Sequence, residues 1–143
     1  MVRQMQRLAA LSADERWLLA CAAAMVTSMR VALWLFPFRW VCRHARRRRT
    51  ISRRLEAMPV SRLAWAVQAA ARRVPAASCL TQALALQWLL VRTGHGASLR
   101  IGVAKNAAHG FKAHAWVECE GNILLENRKA VDRFAPILSL RAG

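Results

Sequence analysis

Acidic side chains are scarce in this chain. Seven Asp and Glu stand against 23 Lys and Arg, a formal net charge of +16 with a pI near 11.8. Cysteine is also sparse and scattered. Cys21, Cys42, Cys79 and Cys119 contain no Cys-x-x-Cys pair, so nothing indicates a structural zinc site. The chain also lacks the short, loop-rich character of a secreted disulfide scaffold, which makes a reducing cytosol the expected setting. There is no zinc-finger spacing, no recognition-helix motif and no interleaved aromatic platform. Nucleic acid is therefore an unfavoured partner despite the charge. A secretory signal peptide is not expected either: Asp14 and Glu15 precede the apolar N-terminal run, and no clear small-residue cleavage site follows it.

Apolar residues are abundant, at 56% of the chain. That argues against a disordered basic tail, because enough surface is available to bury. The length of 143 residues fits one domain with an extension. The charge is uneven: residues 1–74 carry +12 and residues 75–143 only +4. Its extreme is the run of Arg43, Arg46, Arg47, Arg48, Arg49, Arg53 and Arg54. Such a run is a solvated stretch or a docking patch for an acidic partner or a membrane surface. Arg46, Arg47, Arg48 and Arg49 are its candidate contacts. A division follows into a basic, apolar, helical region over 1–58 and a catalytic core over 59–143.

Ser12, Asp14 and Glu15 read as a capped helix start with acids in the first turn. The apolar stretch Trp17–Phe38 follows, interrupted at Arg30 and weakened as a helix by Pro37. Its 22 residues are enough to cross a bilayer. Three readings stand open. It packs on its own domain or a partner subunit, it lies in the membrane interface with Trp34 and Trp40, or it spans the membrane with the arginines on the cytoplasmic side. Residues 61–74 form a second helix, ended by Pro75.

The chemistry concentrates after residue 75. Ser78 is a good N-cap, and Cys79–Arg92 is a strong helical run stopped at Thr93-Gly94. Cys79 thus falls in a first turn, where free backbone N–H groups and the helix dipole favour a thiolate. Cys21, Cys42 and Cys119 read as small hydrophobes. Three short strands follow, over 98–104, 113–118 and 123–126. His114 and Trp116 share a face of the second. If Cys119-Glu120-Gly121 is a three-residue loop, Glu118 faces Asn122, Trp116 faces Leu124 and His114 faces Glu126, which could orient the imidazole. A two-residue Glu120-Gly121 loop would instead set Glu126 opposite Ala115, on the wrong face. The expected fold is α+β: a nucleophile at a helix N-terminus packed on a small antiparallel sheet, as in papain-like and transglutaminase-like cores, preceded by helices.

Three stretches resemble the leader peptidases of lasso-peptide biosynthesis, which are transglutaminase-like cysteine proteases. They are the Cys79-Leu-Thr-Gln-Ala-Leu-Ala-Leu-Gln-Trp-Leu-Leu run, Leu99-Arg-Ile-Gly-Val103, and Phe111-Lys-Ala-His-Ala-Trp-Val-Glu118 followed by Gly121. The resemblance covers about 75–137. It implies cleavage of leader from core in a ribosomal precursor peptide, with Cys79 as nucleophile and His114 as general base and acid. The family's third member is typically Asp, twelve residues after the His, where this chain has Glu126. Asn127 and Asp132 are alternatives. The chain shows no strand-rich leader-recognition module before residue 75, so the resemblance implies a separate leader-recognition protein and a downstream ATP-dependent lasso cyclase. The Cys79 N–H is an expected oxyanion donor. Gln82 and Trp116 are secondary candidates for the oxyanion or substrate site. No metal or cofactor is expected. Two alternatives remain: an acyltransferase of transglutaminase or arylamine type, and a non-catalytic membrane or nucleic-acid adaptor using the arginine cluster.

Overall fold

A computed structural model describes residues 2–47, 53–75, 77–106, 110–126 and 128–141. Arg48 and Arg49 of the expected docking patch, and the alternative acid-site residue Asn127, lie outside the described residues. The chain opens with helices α1 (Val2–Ala9), α2 (Ala13–Leu35), α3 (Phe38–Ala45), α4 (Arg53–Glu56), α5 (Val60–Ala71) and α6 (Cys79–Arg92). Strands β1 (Ala97–Asn106), β2 (Gly110–Cys119) and β3 (Asn122–Leu124) follow, then the short helix α7 (Arg128–Val131) and strand β4 (Ala135–Arg141). The four strands form one antiparallel sheet in the order β3-β2-β1-β4. The fold is α+β.

The helix starts follow from local chemistry. Ser12 accepts from the Glu15 N–H while the Glu15 carboxylate accepts from the Ser12 N–H, a complete capping box on α2. Pro37 cannot continue α2, so that helix ends at Leu35 and Pro37 becomes the N-cap of α3. Asp14 and Arg54 form an ion pair, and the Arg54 guanidinium lies 4.1 Å over the Trp17 ring. Both contacts hold α4 against the start of α2.

Leu18, Leu19, Ala22, Val26 and Met29 form the buried stripe of α2. It packs on α5 and α6, and Leu63, Val67, Leu84, Leu86 and Leu90 lie in the same core. α6 then covers one face of the sheet through Leu99, Ala115 and Val117. Buried Arg92 reaches across to α3, where its guanidinium donates to the carbonyls of His44 at 2.9 Å and Ala45 at 3.4 Å. Those are end-of-helix carbonyls, so a cation satisfies them well. Buried Gln87 ties α6 to both β1 and β4. Its Nε2 donates to the Ala97 carbonyl at 3.3 Å and to the Leu140 carbonyl of β4 at 2.7 Å.

Candidate active site

Cys79 is the first residue of α6 and is half-buried against the core. Its N-cap is Ser78, whose Oγ accepts from the Thr81 N–H at 3.3 Å. The N–H groups of a helix's first turn lack intrahelical partners. The other three cysteines sit in different surroundings, and all four are unpaired. Burial pushes the Cys42 thiol up to about 11 and also raises those of Cys21 and Cys119. For Cys119 the nearby Glu120 carboxylate adds to the rise.

The hairpin register differs from the expected one. Cys119 pairs with Asn122, Glu118 with Ile123 and Val117 with Leu124. The loop is therefore the two residues Glu120 and Gly121, not three. Both adopt left-handed φ, 51° and 81°, the demand of a type I′ turn. By strand alternation alone this register would turn Glu126 away from His114. The strand does not continue that far. β3 ends at Leu124, and Leu125 takes φ 69°, which breaks the alternation. Glu126 is redirected, and its Oε2 lies 3.0 Å from His114 Nε2. That nitrogen is shut off from solvent, and the approach lies off the line of a good hydrogen bond. The pair is a charge contact that strengthens when the imidazole is protonated.

Successive residues of β2 alternate faces. Ala115, Val117 and Cys119 join the α6 side of the sheet, so His114, Trp116 and Glu118 project to the other. There the His114 ring lies 5.3 Å from Phe134 and 6.3 Å from Trp116. Trp116 is 1% exposed, and its indole donates to Glu118 at 3.3 Å. Its position is that of a buried platform beside the imidazole. Gly102, opposite His114 on β1, makes room for that platform. A Cβ there would come within 2.8 Å of both Trp116 and the Phe134 Cβ. A cavity of about 350 Å³ opens alongside, lined by Trp116, Phe134 and Asp132 among others.

The structure thus brings His114 and Glu126 together and sets Cys79 at the mouth of α6. Among the described residues no hydrogen bond joins Cys79 to His114. Gln82 is partly exposed in the first turn of α6. Asp132 is exposed just after α7. Arg46 is partly buried with its Nε donating to the Cys42 carbonyl at 3.3 Å, while Arg47 is exposed. Phe134 and Gly102 escaped the site reading of the sequence. A glycine inside the alternating run Leu99–Val103 was the available signal, since it marks a close approach. Elsewhere, ligand atoms of His95, Cys119 and Glu120 lie within 4.8 Å of one another, a donor set of the kind that suits zinc.

Comparison with known families adds one match. The family model described as the transglutaminase-like superfamily aligns with residues 23–139. No curated protein and no solved structure matches. The aligned segment starts inside α2 and runs into β4, so it takes in the helical layer as well as the sheet.

Proposed function

Because the chain belongs to the transglutaminase-like superfamily, we propose that it is a cysteine peptidase which removes the leader from a ribosomally made lasso-peptide precursor. The observation that carries the reading is the 3.0 Å contact between His114 and Glu126 in a chain whose catalytic-helix start holds Cys79. Superfamily members are usually cysteine-dependent proteases or acyltransferases. The leader-peptidase specificity rests on the resemblance of residues 75–137.

In this reading Glu126 holds Nε2 and stabilises the imidazolium, leaving Nδ1 to take the thiol proton. The Cys79 thiolate attacks the last leader carbonyl, and the Cys79 backbone N–H stabilises the oxyanion. His114 protonates the departing core amine, and water then releases the leader from the acyl-enzyme. The step requires the Cys79 thiol and the His114 imidazole to come within hydrogen-bond reach, a contact absent among the described residues. A separate leader-recognition protein presents the precursor, and an ATP-dependent cyclase takes the freed core. Four free thiols suit a reducing cytosol.

The test is incubation of precursor, recognition protein and this chain, read by mass spectrometry. Leader with a free carboxylate and core with a free amine are expected. Cys79→Ala and His114→Ala should each abolish both products without loss of fold. Wild-type-like processing by Cys79→Ala would end the reading. A leader–amine adduct instead of free leader would point to acyl transfer.

A further inference from the structure

The corner between α2 and α3 presents apolar side chains that the fold does not cover. Trp34 is 78% exposed and Leu35 61%, and Val31, Phe36, Phe38 and Trp40 are exposed beside them. Phe36 stacks on Trp40 at 4.4 Å, and Trp40 on His44 at 4.6 Å. The aromatic rings are therefore preorganised as one surface. The charges along this stretch of sequence have a single sign. From Arg16 to Leu55 there are ten arginines and no acid. Arg39 and Arg43 lie on α3 itself, both exposed.

A spanning role for α2 conflicts with its packing. The helix is long and apolar enough to cross a membrane. However, Leu18, Ala22 and Val26 are fully buried against the protein core, and crossing would expose that core. The protruding part is the last turn of α2 and the turn into α3. An exposed apolar corner rich in Trp and Phe, with exposed Arg39 and Arg43 beside it, matches the boundary between headgroups and acyl chains. Uniform positive charge selects an anionic surface. An acidic protein surface would offer the same charge, but carboxylates alone have no need of so many exposed aromatic rings.

We infer that the α2–α3 corner inserts Trp34, Leu35 and neighbouring rings into an anionic lipid surface, with Arg39 and Arg43 on the headgroups. The protein would then work as a peripheral membrane protein, held from one corner with the sheet free. This inference does not depend on the peptidase reading.

The experiment is flotation of the full chain with vesicles of phosphatidylcholine plus phosphatidylglycerol, against vesicles of phosphatidylcholine alone. Flotation with the anionic vesicles only is expected, weakening as salt rises. Trp34→Ser with Leu35→Ser, and separately Arg39→Gln with Arg43→Gln, should each reduce binding by about tenfold or more at unchanged circular dichroism. These side chains are exposed, so the fold should tolerate the changes. Equal binding to both vesicle types, no binding, or wild-type binding by the Trp34–Leu35 variant would overturn the inference. So would absent flotation of the unmutated chain together with lost precursor processing in the Trp34–Leu35 variant, which would assign the corner to a protein partner. Cleavage by a protein that does not float would leave the peptidase reading intact, and flotation by a protein that does not cleave would leave this one intact.

Discussion

Three of the four thiols are held neutral by their surroundings, and the fourth stands at a helix start. Burial raises Cys21, Cys42 and Cys119, which makes each a poor nucleophile near neutrality. A limiting dose of iodoacetamide near neutral pH should therefore modify Cys79 first, as peptide mapping would show. First modification at Cys42 or Cys119 would contradict this ordering. If His114 assists the thiol, the pH profile of that alkylation should shift in His114→Ala. The sign for stability is separate. The Cys42 thiol rises from 9.0 to about 11 in the folded chain. The unfolded thiol thus ionises first, so stability is complete below pH 9.0 and is lost as pH climbs toward about 11. Thermal melts across that window should fall less steeply in Cys42→Ala. At the acid position, Glu126→Gln keeps the shape and removes the charge facing His114. Loss of the equivalent charge in a Ser-His-Asp enzyme costs about 10⁴-fold. A drop in kcat well beyond tenfold, with little change in KM, is expected here. A Gln variant with wild-type kcat would remove Glu126 from the machinery.

At the level of elements, single residues decide where side chains point. Ser12, Ser78 and Pro37 were legible in the sequence because caps and breakers act within one helical turn, without reference to the rest of the fold. The hairpin register was not. A type I′ turn normally announces itself as Asn-Gly or Asp-Gly, and here Glu120 occupies the first left-handed position. The same opacity hid Leu125, whose φ of 69° steers Glu126 back to His114. Neither Glu nor Leu signals that conformation, so only long-range packing could reveal it. Strand β4 was also unread. Its exposed edge position and Pro136 give it no clean alternation. Two substitutions test these assignments. Glu120→Asn suits the left-handed position better and should raise stability by up to about 1 kcal/mol, seen as a higher melting temperature. Gly102→Ala should cost about 1–3 kcal/mol by overpacking. It should also lower peptidase activity beyond the stability loss, because the displaced Trp116 and Phe134 flank His114.

For the whole molecule, composition suggested a basic N-terminal half attached to a catalytic half, divided near residues 58 and 59. The charge divides later, at residue 74, with +12 before it and +4 after it, because charge is additive along the chain. Packing is not additive in that way. Leu18, Leu19, Ala22, Val26 and Met29 of α2 complete the core built by α5 and α6, and the family match likewise starts within α2. Removing residues 1–58 would uncover the α5 and α6 faces that these side chains cover. Each large buried aliphatic side chain contributes about 1.5–3 kcal/mol, so the loss is on the order of 10 kcal/mol. That is comparable to the total stability of an ordinary domain. The fragment 59–143 should therefore fail to fold cooperatively, shown by the absence of a sharp thermal transition and by dye binding to exposed apolar surface. The same side chains make a graded test. Val26→Ala opens a cavity in the middle of the α2 interface and should cost about 2–3 kcal/mol. It should destabilise the sheet half along with the helices in a single transition, as hydrogen exchange at β1 and β2 would report. A variant that melts its helices while β1 and β2 keep their protection would establish two folding units in place of one.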